Sequence, residues 1–156
     1  MKRVVLAVFF LAGCWPGNTD DILSTDCQEM GCFDRLDISI ARRDGDVFPS
    51  GNYTFILAPQ GGDTIEVPCT LTDKSLDDCQ GDVGAVEVLS RDSAGELGVR
   101  LDFAPSSIVV QLKYEDQSFD TQTISPNYTT LTPNGPECDP VCFQATVSIE
   151  VSSPTF

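Results

Sequence analysis

Apolar residues return at every second position along most of this chain, and the period never stretches to that of a helix. Leu36, Ile38 and Ile40 alternate with Asp37, Ser39 and Ala41. Successive side chains of a strand point to opposite faces, so this pattern predicts a strand with one buried face. Tyr53, Phe55 and Leu57 repeat it up to Pro59. Ile65, Val67, Cys69 and Leu71 return after the hairpin signal Gln60-Gly61-Gly62-Asp63. Val83 to Leu89 reads as a further strand, as do Leu97-Val99-Leu101-Phe103 and Ile108-Val110-Leu112-Tyr114, taken at alternate positions. Phe119 to Ile124 follows, and the last run places Phe143, Ala145, Val147, Ile149 and Val151 on one face. Seven or eight short strands at this spacing predict an all-β fold, an antiparallel β-sandwich. Alternation in place of continuous apolar runs leaves each sheet wet on one face, which favours two antiparallel sheets over a buried parallel one. With no internal repeat and no composition break, residues 32–156 are expected to form one domain.

The chain opens differently. Lys2 and Arg3 precede the apolar run Val4 to Phe10, which closes on Leu11-Ala12-Gly13-Cys14. A charged start, a short apolar run and small residues are the layout of an export signal. Val4 to Ala12 is too short to cross a bilayer, which takes about 20 apolar residues. The Leu-Ala-Gly-Cys ending resembles a bacterial lipobox, whose cysteine receives a diacylglycerol and becomes the mature N-terminus. That resemblance implies a lipoprotein signal peptide over residues 1–13, with Cys14 as the lipidated residue. The two acyl chains of a diacylglycerol suffice for stable anchoring. Residues 14–31, rich in Pro, Gly, Asn, Thr and Asp, read as the lipidated cysteine and a flexible tether. Trp15 is not the Asp that resembles an inner-membrane retention signal in enterobacterial lipoproteins. The expected address is therefore the cell envelope at the outer membrane, facing the periplasm or the outside.

Charge narrows the partners. Nine basic residues stand against 24 acidic ones, and loss of Lys2 and Arg3 with residues 1–13 takes the net charge from −15 to −17. Such a chain repels phosphate backbones, which argues against nucleic acid. The acids are read first as a device that keeps a β-protein from sticking to itself.

Seven cysteines are present. Setting Cys14 aside for lipid leaves Cys27, Cys32, Cys69, Cys79, Cys138 and Cys142, an even set that reads as three disulfides in an oxidising compartment. Zinc is the weaker reading: neither close pair has Cys-x2-Cys spacing and the chain has no histidine. Cys69 and Cys79 flank an acidic loop between two strands, where a local bridge would clamp the corner. The other four leave two arrangements open. Cys27–Cys32 and Cys138–Cys142 would each close a small ring. Cys32–Cys142 with Cys27–Cys138 would tie the two ends of the domain together, provided the first and last strands are parallel neighbours.

Absence of histidine excludes Ser-His-Asp and Cys-His catalysis. The carboxylate pairs Asp20-Asp21, Asp77-Asp78 and Glu115-Asp116 sit in expected turns or tether, with nothing to place them across a cleft. Asp73, Asp77, Asp78 and Asp82 gather four acids in the loop held by Cys79, a possible calcium site that lacks EF-hand spacing. Asn52-Tyr53-Thr54 and Asn127-Tyr128-Thr129 match glycosylation sequons.

The run Pro133-Asn134-Gly135-Pro136-Glu137-Cys138-Asp139-Pro140-Val141-Cys142, with Ser125-Pro126-Asn127-Tyr128 before it, is the most distinctive part of the expected domain. It resembles the ending of uncharacterised cysteine-rich lipoproteins of myxobacterial type. The resemblance extends loosely to Gly51-Asn52-Tyr53-Thr54 and the Cys69 to Cys79 corner, and it implies an Ig-like or transthyretin-like sandwich. The expectation is a lipid-anchored, non-catalytic binding or envelope-structural module with no cofactor. It would be attached to the membrane by its lipid and meet a protein or glycan partner. The alternative is a calcium-dependent adhesion or carbohydrate-binding domain built on the four loop aspartates.

Overall fold

The alternation is realised as two stacked sheets. A computed structural model describes residues 30–72, 76–77, 79, 84–91, 95–115 and 117–152. In chain order the strands are β1 (Arg35–Arg42), β2 (Gly51–Pro59), β3 (Ile65–Leu71), β4 (Leu76–Asp77) and β5 (Val86–Arg91). They continue as β6 (Glu96–Leu101), β7 (Ile108–Tyr114), β8 (Gln117–Ile124), β9 (Thr129–Leu131) and β10 (Cys142–Val151). One sheet has the order β5-β6-β1-β10-β9 and the other β4-β3-β2-β7-β8. No helix occurs among the described residues.

The core is built as the period-two reading requires. Leu36, Ile38 and Ile40 of β1 share it with Leu97, Val99 and Leu101 of β6. From the other sheet come Tyr53, Phe55 and Leu57 of β2, Val67 of β3, and Ile108, Val110 and Leu112 of β7. These strands sit mid-sheet, so their inward residues are almost wholly removed from water, the main favourable term of folding.

Three features depart from expectation. There are ten strands rather than seven or eight, because β4 forms inside the acidic loop and β9 in a stretch where the alternation predicts no strand. The first sheet is mixed: β1 and β10 run parallel, with Leu36 opposite Ala145 and Ile38 opposite Val147. All other pairs are antiparallel. The outward face of β1 is not wet either. Asp37 and Ser39 are buried, because long side chains of the same and neighbouring strands fold over them. The Nε of Arg35 lies 2.8 Å and that of Arg100 3.0 Å from the Asp37 carboxylate, and Ser39 donates to Glu96 at 2.7 Å. The Asp37 carboxylate holds Arg100 above its usual ionisation range, first by hydrogen bonding to its side chain.

Candidate functional site

The functional question centres on the end of the molecule where β1 and β10 begin. Both strands start there because they are parallel neighbours, and Cys32 is bonded to Cys142 across a Cα separation of 6.0 Å. Asp34 accepts a hydrogen bond from the Phe143 N–H at 2.9 Å, and Gln144 Nε2 donates to the Phe33 carbonyl at 3.3 Å. The backbone preceding β1 is thus fixed against β10 before the ladder begins.

The distinctive run 133–142 folds over the same end. Turns formed by Gly135 N donating to the Thr132 carbonyl and Cys138 N to the Gly135 carbonyl bring Asn134 against the incoming chain. Its Oδ1 accepts from the Met30 N–H at 2.9 Å and its Nδ2 donates to the Met30 carbonyl at 3.1 Å. An amide side chain here copies the donor and acceptor pair of a neighbouring strand. Met30, expected within the tether, therefore already belongs to the folded domain.

The cysteine assignments can be placed residue by residue. Cys69 and Cys79 are bonded with Cα atoms 4.0 Å apart, closing the corner after β3. Cys32–Cys142 follows the second of the two open arrangements, since the first and last strands are parallel neighbours. Cys138 is also disulfide-bonded, and its partner lies outside the described residues, as do Cys14 and Cys27.

The other expected sites separate. Of the calcium candidates, Asp73, Asp78 and Asp82 lie outside the described residues, and the backbone of Asp77 pairs with Thr70 in β4. Asp20, Asp21 and Asp116 also lie outside. Glu115 serves the fold: its carboxylate accepts from the Asn52 N–H at 2.8 Å, while its own N–H donates to the Asn52 carbonyl at 3.0 Å. Asp120 accepts from the Ser152 N–H, and hydrogen bonding from Ser152 holds its carboxyl below the usual range. Of the two sequons, Asn52 sits within β2 and Asn127 in an exposed connection. Tyr128 donates to the Pro105 carbonyl at 2.9 Å, and burial raises its ionisation, with the Asp34 charge adding to the effect.

A shallow cleft of about 430 Å3 is lined by Val67 of β3, Cys79, Gly84, Val86, Glu87 and Val88 of the β5 segment, and Asp102. Glu87 is committed to Arg100 at 2.9 Å. Among the described residues, no group of three or more Cys, Asp or Glu side chains is arranged to hold a metal ion. Sequence reasoning missed Asn134 and Asp34 as anchoring residues; the signal available was only an Asn in a Pro-Asn-Gly turn and an acid before the first strand. Comparison with protein-family models, curated proteins and solved structures finds no match for this chain.

Proposed function

We propose that this chain is a lipid-anchored extracytoplasmic β-sandwich that works as a non-catalytic binding or envelope-structural module, resembling the cysteine-rich lipoproteins named above. The observation that carries the reading is the use of cysteine. All five cysteines among the described residues are in disulfides: Cys32 with Cys142, Cys69 with Cys79, and Cys138 with a partner outside the described residues. Disulfides of this density belong to oxidising compartments. The odd total of seven leaves one cysteine without a partner in the same chain, and the lipobox position selects Cys14. The domain receives its chain at a disulfide-stapled end, an arrangement suited to a protein held by its N-terminus.

Asp34, Asp37, Glu87, Glu115 and Asp120 are engaged with arginines or backbone amides, a structural use of carboxylates that accords with this reading. The outer membrane is the compartment this reading favours, with a protein, glycan or envelope component as partner. The test is mass spectrometry of the protein extracted from membranes, together with labelled palmitate. A diacylglyceryl group on Cys14 and loss of label in Cys14→Ala support the reading; an unmodified Cys14 overturns it. Protease accessibility on intact cells then fixes the orientation.

A further inference from the structure

Five of the six large apolar side chains exposed among the described residues lie at the end where the chain enters. Phe33 is 79% exposed, Met30 49%, Val141 and Phe143 42% each, and Leu131 36%. The sixth, Val47, lies beyond the opposite end of β1, beside Gly95 at the start of β6. Isolated exposed apolar residues need no explanation, whereas a group gathered at one end does.

These side chains stand on fixed backbone. Phe33 follows the Cys32–Cys142 bridge and its carbonyl is held by Gln144. The Phe143 N–H is held by Asp34, and Leu131 pairs with Cys142 across the β9–β10 ladder. Met30 is clamped by Asn134. Phe143 and Cys142 thus bring apolar groups from three adjacent segments to one end of the sheet, with Phe143 on the face that carries Ala145, and Leu131, opposite Cys142, on the other.

We propose that this end is a seat on the lipid bilayer, in which Phe33 and Phe143, supported by Met30, Leu131 and Val141, enter the interfacial region of a zwitterionic membrane surface. The inference rests on the lipid-anchor reading and extends it from attachment to orientation. The length of chain leading to this end supports it. Fifteen residues separate Cys14 from Met30. That length of chain reaches at most roughly 50 Å when fully extended. An anchor at Cys14 keeps this end within that reach of the bilayer. Contact is then intramolecular, so even weak interfacial affinity holds the seat closed. Aromatic and aliphatic side chains suit the boundary between headgroups and acyl chains. Exposed Glu137 and Asp139 border the same end, so an uncharged headgroup surface is favoured over an anionic one.

The test uses the acylated protein, purified from membranes and reconstituted in phosphatidylcholine nanodiscs, with hydroxyl-radical footprinting read by mass spectrometry. The reference is the Cys14→Ala chain free in solution. The expected result is several-fold lower modification of Phe33, Phe143 and Met30 in the discs, with Val47 unchanged. In a Phe33→Ser/Phe143→Ser variant that remains acylated, Met30 is expected to regain the reactivity seen in solution. Acylated protein whose Phe33 and Phe143 react equally in discs and in solution overturns the seat while leaving the anchor intact. Protection that appears without discs and grows with protein concentration assigns the surface to a second copy and also overturns it. A chain without acyl groups overturns the anchor and the seat together.

Discussion

The side chain of Asn134 grips Met30 by both its N–H and its carbonyl, 104 positions away in sequence. A third bond, from Asn134 Nδ2 to the Asp139 carbonyl at 2.6 Å, fixes the amide in its own loop. At Met30 the entering chain is thereby held by this one side chain, ahead of the contacts made by Cys32, Phe33 and Asp34. Asn134→Ala removes all three bonds, and because they are solvent-accessible the expected loss is about 1–2 kcal/mol of stability. Denaturant unfolding measures it, and cleavage by protease close to Met30 should accelerate in parallel. Unchanged cleavage there would show that the clamp does not secure the chain.

In the chain-entropy picture, closing a loop of 110 positions stabilises by about 5 kcal/mol and one of 10 positions by about 3 kcal/mol. Cys138 is also disulfide-bonded, to a cysteine before Met30, and that bond closes nearly the same long loop as Cys32–Cys142. Paired alanine substitution at Cys32 and Cys142 should therefore lower the unfolding midpoint no more than the same change at Cys69 and Cys79. A much larger fall at Cys32 and Cys142 would show that the Cys138 bond does not secure the long loop.

Gly51 tests the close approach at the start of β2. Its φ is 152°, and a Cβ there would lie 2.6 Å from Cε2 of Tyr114 and 2.9 Å from Oε1 of Glu115. Gly51→Ala is expected to cost about 1–3 kcal/mol through backbone strain and displacement of the Tyr114 ring. A crystal structure of the variant should show that ring moved. Wild-type stability with an unmoved ring would contradict the packing described.

Tyr53 supplies a pH signature. Its hydroxyl donates to the Pro49 carbonyl at 2.7 Å, and burial raises its ionisation above the ordinary tyrosine value, with Tyr114 adding to the shift and Arg42 opposing it. The folded state therefore favours the protonated form. Stability from this group is complete below about pH 10, the unfolded value, and falls as pH rises beyond it, because the unfolded chain loses its proton first. Urea midpoints measured between about pH 8 and pH 11 should fall with pH less steeply in Tyr53→Phe than in the unaltered chain. An identical slope in both would assign the alkaline loss to other groups.

Arg100 joins Asp37 to Glu87 at 3.0 and 2.9 Å on the outward face of the first sheet. Its removal in Arg100→Ala leaves buried Asp37 with Arg35 as its charged partner. Since Arg100 is itself partly exposed, the expected cost is about 1–2 kcal/mol. A double-mutant cycle with Asp37→Ala isolates the coupling, and a coupling near zero would reduce the ladder to surface decoration.

Periodicity revealed the strands that carry the core, because each of them spans enough positions for alternation to show. β4 and β9 were illegible for the opposite reason: two and three residues carry no period, and those of β9 are exposed. The parallel neighbourhood of β1 and β10 could be framed only as a condition on disulfide pairing, since a strand's partners are chosen by tertiary packing and not by its own pattern. Alternation likewise placed Phe143 with Ala145 and Val151, yet Phe143 is 42% exposed while Val151 is buried. A one-strand pattern contains no information on where cover from the rest of the fold stops. Asn134 read as a turn residue because its partner is remote in sequence.

The Cys32–Cys142 bond gives the molecule a mechanical short circuit. Tension entering before Cys32 and leaving after Val151 crosses the sulfur bridge and runs along β10. The 110-position separation it spans carries none of that load while the bond is intact. Reduction of this bond and of the one at Cys138 would transfer the pull to the parallel β1–β10 ladder, whose eight paired positions are then loaded in shear, all together. The sandwich is accordingly built to be tugged at its ends without being unravelled, and its extensibility under force is set by the redox state of the sulfurs gathered at one end.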